Sequence, residues 1–225
     1  MLLIVITALL VLGNQHNQIS LPECRYDDLP ATHATYDAWQ STLLDTIYSL
    51  SVDYVPIDLT PLSDIGLPGN HFVRRLVVGD LVALLEAAKV AGSPLEVQSA
   101  YRSYQYQANT FDYWVSLEGE ESALRSSARA GHSEHQLGTT IDFRAAGGPA
   151  PWDVPDWSMT PEGSWLTNNS WRFGFVMSYN QGQEKETCYM YEPWHYRYLG
   201  RDVAKQFIES NQSLRSWLWD ERDVQ

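Results

Sequence analysis

Apolar and polar positions alternate along this chain with two different periods. From Thr32 to Leu50 the apolar residues Tyr36, Trp39, Leu43, Leu44, Ile47 and Leu50 recur three or four positions apart, which predicts an amphipathic helix. Val55 to Gly69 carries three prolines among Asp and Gly residues and reads as a loop. Gly79 to Ala91 is again helical, with Asp80 as its cap, Leu81, Leu84, Leu85 and Ala88 as its apolar stripe and Gly92 as its stop. Leu95 to Ala100 alternates with period two and predicts a strand. Helices follow over Ser103 to Leu117 and Glu120 to Ala128. A strand over Gly138 to Phe143 then enters a Gly/Pro loop from Gly147 to Pro155. Thr160 caps a helix reaching Trp171, with Pro161 at its first position. Phe173 to Ser178 and Tyr189 to Tyr198 predict strands, and Asp202 to Ser210 a closing helix; Trp217 to Gln225 receives no assignment. Short strands mixed irregularly with helices indicate an α+β fold, a small antiparallel sheet flanked by helices.

The first residues stand apart. Leu2 to Leu12 is an almost unbroken apolar run, shorter than the roughly 20 residues of a membrane span. It fits the core of an export signal, although no Lys or Arg precedes it and no small-x-small cleavage site follows; a buried strand or helix is the alternative. The expected division is a leader over 1–20, a linker and helix over 21–54, a core over 55–203 and a C-terminal helix and tail over 204–225. An exported chain acts outside the cytoplasm, secreted or tethered, and touches the membrane only through its leader. A monomer is expected.

Composition narrows the partners. Hydrophobic residues make up 44% and charged residues 19%, as in a globular protein rather than a disordered one. The net charge of −13 repels a phosphate backbone, so nucleic acid is not an expected partner. Nine Trp and thirteen Tyr suit a cleft that grips sugars or peptides, or simply fill a core. Cys24 and Cys188 lack the spacing of a zinc finger. They either pair as one disulfide in an oxidising compartment or remain two buried thiols.

Histidines carry the candidate chemistry. His16, His33 and His71 read as surface or satisfied residues. GHSEHQLGTTIDF differs: it sets His135 and Asp142 seven residues apart around Gly138. A turn at the glycine, leading into a strand, lets both side chains reach one cation, since imidazole nitrogen and carboxylate oxygen both bind zinc at about 2.0–2.2 Å. YEPWHYRYLG supplies Glu192 and His195. Residues three apart on a strand face opposite ways, so a bend at Pro193 is required to bring them together. That leaves His195 as a third ligand and Glu192 as a nearby, unbound carboxylate, the arrangement that water activation needs.

These segments resemble the VanY-type D-alanyl-D-alanine carboxypeptidases, zinc peptidases related to the lysostaphin-type endopeptidases and the hedgehog signalling domain. Ser133, His135, Gly138 and Asp142 match the family's S-x-H-x-x-G-x-A-x-D, and Glu192, Trp194 and His195 its E-x-W-H. Ser99 to Gln107, SAYRSYQYQ, is similar to its S-x-Y-R-S segment. The resemblance runs from about Val55 to Gly200. It implies Zn2+ held by His135, Asp142 and His195, Glu192 as general base, and Arg102 facing the substrate to bind a terminal carboxylate or an oxyanion. Gln107 and Ser133 are expected to position the peptide. His132 either polarises the scissile carbonyl or merely flanks the site. The implied substrate is the stem peptide of peptidoglycan, trimmed at its C-terminal D-alanine. An L,D-carboxypeptidase, a cross-bridge endopeptidase and a non-catalytic wall-binding module share the same metal site and stand as alternatives. Three positions depart from the family pattern: Thr140 replaces Ala, Ala130 replaces a frequent Pro, and Cys188 replaces Gly. None is a proposed ligand.

Overall fold

The computed structural model describes residues 20–221, so the apolar run read as a leader lies outside the described residues. In chain order the elements are β1 (Leu29–Pro30), β2 (Tyr48–Ser49), β3 (Leu59–Pro61), β4 (Phe72–Arg74), α1 (Val78–Val90), β5 (Leu95–Ser99), α2 (Tyr104–Glu118), α3 (Glu120–Ser126), β6 (Thr140–Ala145), α4 (Pro161–Asn169), β7 (Phe175–Met177), α5 (Glu184–Thr187), β8 (His195–Tyr198), α6 (Arg201–Ser210) and α7 (Leu214–Glu221). The fold is α+β. Its centre is a four-stranded antiparallel sheet in the order β5-β6-β8-β7.

Alternation gives this sheet two unlike faces. Ile141 and Phe143 of β6 and Tyr196 and Tyr198 of β8 point to one side, where Leu81, Leu84 and Ala88 of α1 and Leu166 of α4 cover them. Burying each large apolar side chain there stabilises the fold by about 1.5–3 kcal/mol. Asp142, His195 and Arg197 occupy the intervening positions and are buried polar groups. The apolar face fixes the register, and the register fixes the polar face: Asp142 stands directly opposite His195, and Ser99 opposite Asp142 beyond a bulge in β5. On the far side, Phe207 of α6 and Leu214, Trp217 and Leu218 of α7 pack with Val176 and Leu199 into a second cluster.

Three expectations from the sequence are corrected. The helix over Thr32 to Leu50 does not form; this segment holds one 3-10 turn, Tyr36–Ala38, and the short β2. Four of its apolar residues, Leu43, Leu44, Ile47 and Leu50, are buried and Tyr36 and Trp39 half-buried, but in different places: Leu43 joins the α6–α7 cluster, while Leu44 and Leu50 pack with Tyr54 and Leu137. Polar side chains compete for the backbone in between. The Thr42 hydroxyl donates to His33 O, and the Asp45 carboxylate accepts from the amides of Ile47 and Tyr48. Asp80 does not cap α1; it accepts from the Tyr198 hydroxyl and Arg201 Nε, tying α1 to β8 and α6. The strand expected over Tyr189 to Tyr198 begins only at His195. Cys24 and Cys188 form a disulfide that binds the N-terminal segment to the loop before β8.

Candidate metal centre

Three elements deliver three ligand groups. Asp142 and His195 come from the cross-strand pair just described. His135 lies in a 3-10 turn, Glu134–Leu137, whose first amide bonds are capped by the Ser133 hydroxyl. Gly138 closes that turn at φ +71°, and a Cβ there would sit 3.0 Å from Arg74 Cγ and 3.2 Å from Leu59 Cδ2. The turn is therefore pressed against β3 and β4, and only glycine fits at its end. The ligand atoms of His135, Asp142 and His195 lie within 4.8 Å of one another, all buried.

Hydrogen bonding assigns the tautomers. His135 Nδ1 lies 2.6 Å from Ala100 O, which can only accept, so Nδ1 carries the proton. Nε2 is left with a bare lone pair, has no hydrogen-bond partner, and faces Asp142 Oδ2 at 3.2 Å. Burial, helped by the Arg102 cation, lowers the His135 pKa to about 4, so the ring is neutral. His195 donates from Nε2 to Glu134 Oε2 at 3.1 Å and turns Nδ1 toward Asp142 Oδ1 at 3.0 Å. Burial opposes charge on His195, but hydrogen bonds to Asp142 and Glu134 outweigh it and raise the pKa to about 10. Asp142 is likewise buried, yet its two histidines hold its carboxyl well below the ordinary range. Two acceptors aimed at each other in a buried site suit a cation, and a metal ion held here would take the place of the proton on His195. The donor set fits zinc: two imidazole nitrogens and one carboxylate, with second hydrogen bonds orienting both rings.

Behind the ligands lies a residue the sequence reading passed over. Glu134 accepts from His195, from the Ser178 hydroxyl at 2.6 Å and from Arg197 NH1 at 2.8 Å. Burial raises its pKa, but Arg197 first and then His195 overcome this and bring it down to about 2. Arg197, fully buried on β8, is anchored in turn to the carbonyls of Trp39 and Thr42. A charged residue between Ser133 and ligand His135 was the available signal.

In front of the ligands opens a cleft of about 1210 Å³. Glu192 reaches it because the His195 amide donates to Glu192 O, closing a four-residue turn with Pro193 at its second position. The turn puts Glu192 Oε2 3.6 Å from His195 Nδ1. Burial pushes the Glu192 carboxyl up to about 7. Arg102 lines the same cleft, with NH2 4.0 Å from Asp142 Oδ2 and a buried Nε that no group among the described residues accepts from. Ser133 is also on the cleft wall. Two expected residues are not. His132 is buried with Nδ1 on Asp45 O and Nε2 on Asp28, so neither nitrogen is free for a substrate. Gln107 turns inward and donates to Ala128 O.

Comparison with known proteins places this geometry. The family profile of VanY, D-alanyl-D-alanine carboxypeptidase, matches residues 70–201. YodJ of Bacillus subtilis (strain 168), named as a carboxypeptidase, is 32% identical over 180 residues, 78% of this chain and 65% of its own length. The chain thus spans less than two thirds of that relative. Among solved structures, the LD-carboxypeptidase LdcB superposes with a TM-score of 0.68 at 32% identity, covering 79% of this chain and 84% of LdcB. A mutant of the D,D-pentapeptidase VanY from a VanB-type resistance cassette, in complex with Zn(II), gives 0.68 at 26% identity, covering 80% and 99%.

Proposed function

The chain belongs to the VanY family of D-alanyl-D-alanine carboxypeptidases, and on that premise we propose that it is a zinc-dependent carboxypeptidase removing the C-terminal D-alanine of peptidoglycan stem peptides outside the cytoplasm. One observation carries this reading: Nδ1 of His195 and the bare Nε2 of His135 meet the two oxygens of a single buried carboxylate, with Glu192 close by on the open side. Held by His135, Asp142 and His195, zinc supplies Lewis acidity, acidifying water and polarising a peptide carbonyl.

The chain's own residues do the rest. Arg102, which lines the cleft, binds the substrate's terminal carboxylate through its guanidinium, which makes the enzyme an exopeptidase. Glu192 accepts a proton from the attacking water as the new C–O bond forms at the scissile carbonyl. It returns that proton to the leaving nitrogen as the C–N bond breaks, so the products are a shortened peptide and free D-alanine. The Cys24–Cys188 disulfide supports an oxidising, extracytoplasmic setting.

The test is mass spectrometry of defined muropeptides incubated with zinc-loaded protein and with a chelated control. Conversion of a pentapeptide to a tetrapeptide is expected. Glu192→Gln should keep its zinc while kcat falls roughly thousandfold; near-normal turnover would remove Glu192 from the mechanism. A second reading, an L,D-carboxypeptidase, is favoured by the higher identity to LdcB than to VanY, 32% against 26%. Conversion of a tetrapeptide to a tripeptide, with the pentapeptide left intact, would establish it.

A further inference from the structure

Aromatic side chains are usually buried, because each ring has a large apolar area to remove from water. In this chain Tyr106, Tyr113 and Trp152 are 63%, 57% and 40% exposed, Trp114 is half-buried, and all four line the same cleft. Tyr106 and Tyr113 stand two helical turns apart on the same face of α2, with Asn109 and Thr110 between them. The rings are also linked. Trp194, next to ligand His195, meets Trp152 edge to face at 6.0 Å; Trp152 meets Trp114 at 6.4 Å; Trp114 meets Tyr113 at 5.6 Å. A ladder of rings thus runs outward from the metal centre along one wall.

The charges of this outer cleft are selective. Apart from Asp142 and Glu192 at the metal centre, the cleft's carboxylates are Glu118 and Asp153; His71 also lines it, and the sole Lys or Arg among its lining residues is Arg102, at the inner end. Exposed aromatic faces beside neutral amides, hydroxyls and carboxylates fit an uncharged polyhydroxylated ring: its apolar C–H face stacks on indole and its hydroxyls find acceptors. An anionic segment would be repelled.

Length gives the register. α2 starts two residues after Arg102, and Tyr104 to Trp114 spans about 15 Å along its axis. An extended peptide covers about 3.3 Å per residue, so this distance takes about four to five residues. With the terminal carboxylate at Arg102, the ladder lies where a stem peptide meets its sugar. This step rests on the carboxypeptidase reading. We propose that the outer cleft is a saccharide subsite in which Trp114 and Trp152 stack the N-acetylated amino sugar that bears the stem peptide.

Two measurements on the zinc-loaded protein test it. The first compares kcat/KM for a disaccharide-pentapeptide with that for the same pentapeptide lacking sugar. The wild type is expected to prefer the sugar-bearing substrate by roughly tenfold, chiefly through KM. Trp114→Ala and Trp152→Ala should bring the ratio toward one, and Trp152→Tyr, which keeps a ring in place, should restore most of it. The second titrates N,N′-diacetylchitobiose while following tryptophan fluorescence, which needs no turnover. Saturable binding by the wild type that is lost in both alanine variants, with melting temperature maintained in at least one, supports the subsite. A wild-type ratio near one, a ratio unchanged in the variants, or no saturable response to the sugar overturns it. Failure of the wild type to hydrolyse either pentapeptide would sink the D-alanine-removing reading instead, and the titration would still decide the subsite.

Discussion

Two histidine–carboxylate clusters hang from the two sides of one turn. His132 and His135 are three residues apart and 1% and 0% exposed, and each is hydrogen-bonded through Nδ1 to a main-chain carbonyl. Around His132, the remaining nitrogen meets the Asp28 carboxylate at 2.9 Å, and Asp45 beyond it is filled by two amides and by Arg215 Nε at 2.6 Å. That cluster is closed, and it binds the N-terminal segment, the Asp45 turn and α7 together. Around His135, the remaining nitrogen meets only the lone pairs of Asp142. The two rings are equally buried, but their carboxylate partners are not: the Asp28 side chain is 74% exposed, whereas Asp142 is buried. What separates a structural cluster from a metal site is acceptor capacity left without a proton.

The sharpest way to break this comparison is to remove each histidine in turn. His135→Ala should abolish both stoichiometric zinc and turnover, while His132→Ala should keep one zinc per chain and lose thermal stability. Elemental analysis beside a melting curve reads both; equal zinc content in the two variants would show that the clusters are not different in kind. A smaller effect is expected at Arg215. Its loss leaves Asp45 charged and buried, which should cost about 3–5 kcal/mol of stability, with zinc content unchanged. Urea unfolding of Arg215→Met checks this, and loss of the metal in a folded sample would mean the two clusters communicate.

The metal cluster was legible in the sequence for a physical reason. Its ligands sit in two short segments whose turns are marked by Gly138 and Pro193, and the resemblance to the VanY family implied that the two segments meet at one metal. The closed cluster was not legible, because Asp28, Asp45, His132 and Arg215 are scattered and meet only in the folded chain. His132 therefore read as a site residue through its neighbours, and the pairing of Cys24 with Cys188 stayed open for the same reason. The segment from Thr32 to Leu50 misled differently. Its apolar period is helical, but the residues serve separate clusters, and Thr42 and Asp45 take the hydrogen bonds a helix would need. α7 was too short and too near the end to stand out, although Leu214, Trp217 and Leu218 carry its buried face.

The subtlest test concerns Glu134, which belongs to both descriptions: it is closed by Arg197 and Ser178 like the His132 cluster, yet it holds a metal ligand. Glu134→Gln keeps size and shape, and its amide oxygen can still accept from His195 Nε2. What it loses is the charge that makes His195 the stronger donor to a cation. Arg197 loses its carboxylate partner, which should lower stability by about 3–5 kcal/mol, but it keeps the carbonyls of Trp39 and Thr42. Outer hydrogen-bond partners of this kind are worth about 10–100-fold in metal affinity. Zinc affinity measured by competition with a chelator should fall by that factor, and turnover at saturating zinc should largely return. Unchanged affinity would mean that Glu134 only fills space behind the site, and that the ligands alone account for the difference between the two clusters.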